Sequence, residues 1–545
     1  MLVLTTGLLA AERAPVRAEA PPVAARPIGF IPLDDRPVTL QLPILLGRIA
    51  GQPLRTPPVR TVGRFLTPGD PEAILAWLRS EDAADLSALV ASTDMVGYGG
   101  LVASRVPGSA DLPLQRLAEL ANYKAAHPQT YVATFGTVMR LAPTGVPAGA
   151  PAWIAGDAVD QVQAYANLPD PPVRPADALR AAHLRALAGP PLLDAYLGAR
   201  ARNLLVDRAL VRSTATGGFD RLVLGQDDAG PTGLHLRELA ALRGEVARDG
   251  AGHAVAIEPG ADELGMALLA RVFARNVRWT PHVRVIYSRP GAASYNDRLE
   301  FAPIDVTIGR LIAACGGVRE PGDAPEGTRG PETPDADLDL FVRVPGTSDA
   351  EEAAFVDRLS FSRTTSPSVS VPLAAVADLT FLEDGPGPNQ RSLTEALIAK
   401  GLAGTIDGYA SWNTTANTIG TTLAEAIAVG AGLRARTYGR RAQAEFLLDR
   451  YIDDYAFHQF VRPAVNTSLR AEKVDTELLD APVALQASSD NRAQLWPYAL
   501  DLLGKIFPQY RDGGLVITLP WDRTFETKID VRLRSATPAP SPAGG

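Results

Sequence analysis

The chain has 545 residues, 46% of them hydrophobic and 21% charged, with a formal net charge of −8 and one cysteine. That length suits about two to three ordinary domains or one large barrel with additions, and the composition excludes both a disordered chain and a membrane bundle. The acidic balance and the lack of any Lys/Arg run exclude a nucleic-acid footprint, so no nucleic-acid partner is expected. Cys315, alone in "LIAACGGV", excludes an internal disulfide and a thiolate metal cage and reads as a buried structural thiol. The six histidines form no HxH or HExxH spacing, which argues against a zinc hydrolase.

Residues 1–26 begin with the apolar "MLVLTTGLLAA" and reach an Ala18-Glu19-Ala20 triplet of the small-x-small kind. They read as a signal-like or disordered segment. Export to the periplasm or the cell exterior is expected, with a cytoplasmic location as the alternative. No later run approaches the ~18 apolar residues of a membrane span, so no membrane partner is expected.

From 27 to 430, short apolar or β-branched runs alternate with Ala/Leu/Arg-rich segments of helical period. This alternation predicts βα units and a mostly parallel sheet. Strands are expected at 28–33, 86–92, 130–135, 221–225, 253–258, 282–288, 338–344, 369–379 and 404–409. Between them, "PEAILAWLRSE", "LPLQRLAELANYKAAH" and "DELGMALLARVFARN" space apolar residues three and four apart, as amphipathic helices do. Eight such units close into a (β/α)8-type barrel, the expected α/β fold; a ninth leaves a doubly wound open parallel sheet as the alternative.

The interval 141–220 reads as an insertion over the strand ends, suited to a lid or substrate wall. The Pro/Gly-rich stretch 320–339 reads as a polar excursion. Residues 431–535 form a C-terminal helical appendage ending in a strand and turn, "GGLVITLPWDRTFE", and 536–545 are a Pro/Ala/Gly tail with nothing to bury.

Ligands of parallel α/β sheets meet the carboxyl ends of the strands. Those ends are polar here. The first expected strand leads into Asp34, Asp35 and Arg36, the second into Asp94, Tyr98 and Arg105, and the third into Arg140. The fourth leads into Gln226, Asp227 and Asp228, the fifth into Glu258, Asp262 and Glu263, and the last into Asp407, Tyr409, Trp412, Asn413 and Asn417. One Asp after a strand commonly caps the next helix. An adjacent pair exceeds that need, because the second carboxylate adds repulsion unless it is paired or metal-bound.

Two acids held together suit two mechanisms. In glycoside hydrolysis one acid is protonated and donates, while the other stays ionised to stabilise an oxocarbenium ion or to orient a 2-acetamido group. In metal-assisted hydrolysis or phosphoryl transfer, carboxylates hold Mg²⁺ or Mn²⁺. Trp412, Tyr409 and Tyr98 offer faces for pyranose stacking, and Asn413, Asn417, Gln226, Thr414 and Thr415 offer neutral partners for hydroxyls. The motifs carry Arg and almost no Lys, so sugar is favoured over phosphate.

The ordered motifs "PLDDRPVTLQLP", "TPGDPEAILAWL", "STDMVGYGGLVASR", "FGTVMRLAPT", "QDDAGPTGLHLRE", "PGADELGMALLAR", "DGYASWNTTANTIGT", "DDYAFHQFVR" and "LPWDRTFE" resemble the bacterial family known as domain of unknown function 4127. The resemblance runs from about 27 to 527 and implies no activity. "VADLTFLEDGPGPNQ", near Asp378, departs from the family's pattern.

The expectation is a glycoside hydrolase for a carbohydrate or other small-molecule substrate. Asp227 and Asp228 are the acid and stabiliser, and Glu263 or Glu258 the nucleophile or base. Asp34, Asp35, Arg36, Asp94, Tyr98, Arg105, Arg140, Gln226, Asp262, Asp407, Tyr409, Trp412, Asn413 and Asn417 are substrate contacts. No cofactor is expected; an Mg- or Mn-dependent hydrolase or phosphoryl-transfer enzyme is the alternative, and a non-catalytic carbohydrate-binding protein the second.

Overall fold

Two open parallel sheets and a shared layer of helices make up the computed structural model, which describes residues 26–143, 157–321, 336–363, 372–380 and 393–536. The first sheet holds β1 (Ile28–Ile31), β2 (Leu54–Arg55), β3 (Ala88–Ser92), β4 (Tyr131–Val138), β5 (Arg221–Gln226) and β6 (Val255–Pro259), in the order β2-β1-β3-β4-β5-β6. The second holds β7 (His282–Tyr287), β8 (Val318–Arg319), β9 (Leu338–Arg343), β10 (Leu373–Asp378) and β11 (Gly408–Ala410), in the order β8-β7-β9-β10-β11. Over five strands the two orders match, β6 extending the first sheet by one: each sheet starts at its second position, steps outward once, then reverses across the first strand. Each sheet therefore has a topological switch point, β1/β3 in one and β7/β9 in the other.

Each of the nine expected strands overlaps an observed one, but 404–409 forms only as Gly408–Ala410, and 369–371 lie outside the described residues. The short edges β2 and β8 were not foreseen, nor were β12 (Tyr510–Asp512) and β15 (Leu533–Ser535), which pair antiparallel, as do β13 (Val516–Thr518) and β14 (Lys528–Asp530). Eight units closing into one barrel is not what the described residues form: the strands part into two open sheets, close to the doubly wound alternative.

The reason lies in the helices between the sheets. Leu264–Asn276 is buried from Leu264 through Ala270 without a break, and Thr415–Ala435 from Thr415 through Gly432. A helix apolar on all sides needs cover on all sides. The inner face of the first sheet (Phe30, Val90, Phe135, Val223) and that of the second (Val285, Leu340, Ala375) join these helices in one core. In the threonine-rich helix, Thr421 and Thr422 donate their hydroxyls to the carbonyls of Asn417 and Thr418 at 2.7 and 2.8 Å, so polar side chains are buried without being left unpaired. Separate cores cover the outer faces, one built on Leu89, Val132 and Leu222 and the other on Phe341, Val376 and Tyr409.

The interval 141–220 supplies Asp157–Ala166, Pro175–Ala188 and Pro190–Ala215. No described residue after Arg140 in this interval lines the central cavity, so the expected lid is not what these helices build. They brace it from outside: Tyr196 donates to the Leu141 carbonyl at 2.9 Å and Arg200 to the Arg140 carbonyl at 2.7 Å. Residues 431–535 are largely helical as expected, including a π-helical run Tyr451–Val461, but they also wall the cavity. The expected N-terminal segment, the C-terminal tail and most of the 320–339 excursion lie outside the described residues.

Candidate functional site

At the carboxyl ends of the first sheet lies a cavity of about 310 Å³. Both sheets contribute to it. Arg36, Arg105, Arg140, Gln226, Asp227, Asp228 and Asp262 come from the first, and Asn413 and Asn417 follow β11 of the second. These nine were expected from the sequence.

Its base is a charge clamp. Asp34, just past β1, accepts Arg36 Nη2 at 2.7 Å and Thr39 Oγ1 at 2.6 Å. The far side of the same guanidinium donates to both oxygens of Asp262, at 2.9 and 2.6 Å. Arg36 thus ties β1 to the loop after β6, and the pair of carboxylates offsets its buried charge. Asp35 turns the other way and accepts Trp521 Nε1 at 2.6 Å; burial pushes its carboxyl up to about 6.

The second Asp pair follows β5. Arg105 donates to Asp227 at 2.5 Å, both side chains being buried. Asp228 retains 31% side-chain exposure, toward the cavity, and lies 3.8 Å from Arg140. Burial, then the neighbouring Asp227, pushes Asp228 up to about 6. Adjacent carboxyls thus sit in unlike surroundings, one gripped by a guanidinium and one pressed toward its neutral form.

Other expected residues support the cavity without lining it. Asp94 accepts the Thr137 amide at 2.9 Å, joining β3 to β4, and burial pushes it up to about 7. Glu263 is fully buried, accepts Asn417 Nδ2 at 2.6 Å, and is pushed up to about 8 by burial. Two glycines make its slot: a Cβ at Gly260, whose φ is +93°, would meet Glu263 Oε1 at 1.9 Å, and one at Gly420 would meet Glu263 Cγ at 2.3 Å.

Five expected residues lie elsewhere: Glu258, expected as nucleophile or base, and four expected substrate contacts. Glu258 points sideways from β6 among Arg310, Arg221 and Arg243, because it precedes the strand end and follows the two-residue alternation; it is not part of the cavity. Asp407 precedes β11 and accepts the Ala374 amide at the amino end of β10, the wrong end of the sheet for the cavity. Tyr409 is buried against Tyr451 with centroids 4.5 Å apart, and its hydroxyl meets Thr394. Tyr98 lies under Arg202, outside the cavity. Trp412 packs in the core and borders a small neighbouring cavity of about 20 Å³.

The aromatic wall comes from residues not singled out in the sequence: Phe65, Trp521 and Phe525. Phe65 and Trp521 stack at 5.1 Å, Arg36 and Arg523 lie over Trp521 at 4.9 and 4.6 Å, and Arg523 and Arg462 each lie 4.9 Å from the Phe525 ring centre. Trp521, Arg523 and Phe525 stand in "LPWDRTFE", so a signal for them was present. Glu300 was also missed, and no motif marks it. It is 2% exposed, lines the cavity, accepts the Ala416 amide at 2.9 Å through Oε1, and leaves Oε2 without a hydrogen-bond partner. Burial holds Glu300 well above the usual carboxylate range, against the pull of the Ala416 amide.

Among the described residues, no group of three or more His, Cys, Asp or Glu side chains is arranged to hold a metal ion. No helix among them is long and apolar enough to cross a membrane. No curated protein and no solved structure matches the chain. A family model, "Protein of unknown function (DUF4127)", matches residues 28–530, and the chain belongs to that family.

Proposed function

We propose that the cavity is the active site of a glycoside hydrolase. The observation carrying this reading is the unlike surroundings of Asp227 and Asp228 at the mouth of one parallel sheet. Asp228, facing the cavity and pressed toward its protonated form, is the proton donor to the leaving oxygen. Asp227, ion-paired with Arg105, is the carboxylate that stabilises positive charge developing on the sugar, or that orients the acetamido group of a 2-acetamido substrate. Gln226, Asn413, Thr414 and Asn417 supply donors and acceptors for hydroxyls, and Phe65 and Phe525 supply apolar edges. Cavity volume supports the reading too, since about 310 Å³ falls at the small end of ligand pockets, suited to one or two sugar rings.

A panel of nitrophenyl glycosides, including 2-acetamido sugars, tests this with wild type and Asp228→Asn, with and without EDTA. Release that survives EDTA and is lost in the variant is the expected result. Activity confined to phosphate or ester substrates and abolished by EDTA would assign the site to metal-dependent hydrolysis instead.

A further inference from the structure

Asn413 and Asn417 both line the cavity, but their side-chain amides are placed differently. Asn417 has both ends of its amide engaged inside the protein. Its Nδ2 donates to Glu263 Oε2 at 2.6 Å, and its Oδ1 accepts Asn413 Nδ2 at 2.7 Å and Thr414 Oγ1 at 3.0 Å. Asn413 then keeps its Oδ1, which takes no hydrogen bond from any described residue and is open to water.

Which way round each amide stands follows from backbone donors, which cannot be reversed. The Ala261 amide already takes Glu263 Oε2 as an acceptor, at 3.3 Å, so the nitrogen of Asn417 is the end that faces it. The Asn417 amide takes Thr414 Oγ1 as its N-cap acceptor, at 3.3 Å, and the Thr414 hydroxyl proton therefore goes to Asn417 Oδ1. That oxygen in turn meets the nitrogen of Asn413. The chain of bonds starts at a buried carboxyl and ends in a carbonyl oxygen at the cavity.

The backbone supports the same arrangement. Glu263 lies across Gly420, one turn beyond Asn417 on the helix Thr415–Ala435, where a Cβ would meet its Cγ at 2.3 Å. Asn413, between β11 and that helix, has φ +54°, a left-handed conformation that asparagine accepts at less cost than most residues. Backbone strain of this kind gathers where a side chain has a position to hold.

We propose that Glu263 is a positioning residue: through Asn417 it holds Asn413 with Oδ1 toward the cavity, as the acceptor for a hydroxyl or N–H of the sugar. The proposal rests on the carbohydrate reading above for the ligand, and on the hydrogen bonds alone for the positioning. It gives another task to an acid expected as nucleophile or base, whose carboxyl lies behind Asn417 and does not line the cavity.

Two measurements on the full chain test it. NMR of protein carrying isotope-labelled asparagine reads the Asn413 side-chain amide without any ligand, its signal being the one lost in Asn413→Ala. In Glu263→Met that signal should move to the position of a mobile, solvent-exposed asparagine, and Glu263→Gln should restore it. Kinetics on the nitrophenyl glycoside that wild type cleaves best read the consequence. Glu263→Met and Asn413→Ala should each raise KM roughly tenfold with kcat changed by less than about twofold, as the loss of one oriented hydrogen bond implies. Glu263→Gln should return KM toward the wild-type value, and Glu263→Met combined with Asn413→Ala should be no worse than Asn413→Ala alone. Asn417→Ala cuts the chain at its middle, so the same readouts hold if Glu263→Met does not fold. An Asn413 signal indifferent to both variants, or KM losses that multiply when combined, overturns the proposal. A fall in kcat of roughly 10² or more in Glu263→Met with KM unchanged overturns it too and makes Glu263 part of the chemistry. An amide signal that responds as expected, in a protein that cleaves no glycoside, keeps the positioning by Glu263 and overturns the carbohydrate reading instead.

Discussion

Arg36 and Asp262 stand 226 residues apart and share two hydrogen bonds of 2.9 and 2.6 Å inside the protein. The contact joins the first strand of the first sheet to the loop after its last, across the mouth of the cavity. Its other partner, Asp34, is fixed by Thr39 and so cannot turn away to water. Arg36→Met would leave two buried carboxylates without their cation, a change that costs on the order of 3–5 kcal/mol. Urea denaturation should show that loss in the midpoint, and Arg36→Met combined with Asp262→Leu should recover part of it. A single variant as stable as wild type would mean the clamp does not hold the fold.

Asp228 sets the expected pH profile. Its folded-state value is raised to about 6, so the proton it would donate is present below that pH and lost above it. The ratio kcat/KM on a good glycoside should therefore fall as pH rises through about 6, and Asp228→Asn should lower kcat by roughly 10²–10⁴. A profile flat through that range, with turnover surviving in the variant, would remove Asp228 from the role of acid.

Glu300 offers the sharpest check on that assignment, since it too faces the cavity in a neutral-favouring place. Glu300→Gln keeps an acceptor for the Ala416 amide, and a side chain already drawn toward neutrality loses little by the exchange. Stability should change by no more than the roughly 1–3 kcal/mol of one unpaired buried polar group, and turnover should persist. Should Glu300→Gln, and not Asp228→Asn, abolish hydrolysis in a folded protein, the proton comes from Glu300.

The strands were legible because sheets covered on both faces require nearly continuous apolar runs, and "IGFI" and "ALVAS" are such runs. β2 and β8, two residues each, are too short to carry a pattern. Two sheets rather than one barrel depended on where the helix Leu264–Asn276 goes; its sequence reads as amphipathic, but "LGMALLA" is buried on every side because both sheets cover it. The paired acids were legible because their logic is local: two neighbours on one strand end. Arg462, Trp521, Arg523 and Phe525 reach the cavity from a region that reads as an appendage, a tertiary placement that no local pattern encodes. Glu258 shows the converse limit, for one residue of alternation separates the loop facing the cavity from the strand facing the helices.

Buried acids kept near neutrality should leave a mark on stability. Asp94 is raised from 3.8 to about 7 and Glu263 from 4.5 to about 8, burial being the largest cause in both. The folded protein therefore holds protons that the unfolded chain releases at lower pH. Stability from these groups is fully present below about pH 4 and is lost as pH rises through 7 and 8. Glu263→Gln removes one of the two titrations and retains an acceptor for Asn417, so it should be more stable than wild type at about pH 9 and similar at about pH 5. The gain at high pH is at most about 4–5 kcal/mol. Thermal denaturation of both proteins across this range gives the comparison. Melting curves that stay parallel at every pH would show that Glu263 ionises freely in its slot between Gly260 and Gly420, and that burial there does not govern its charge.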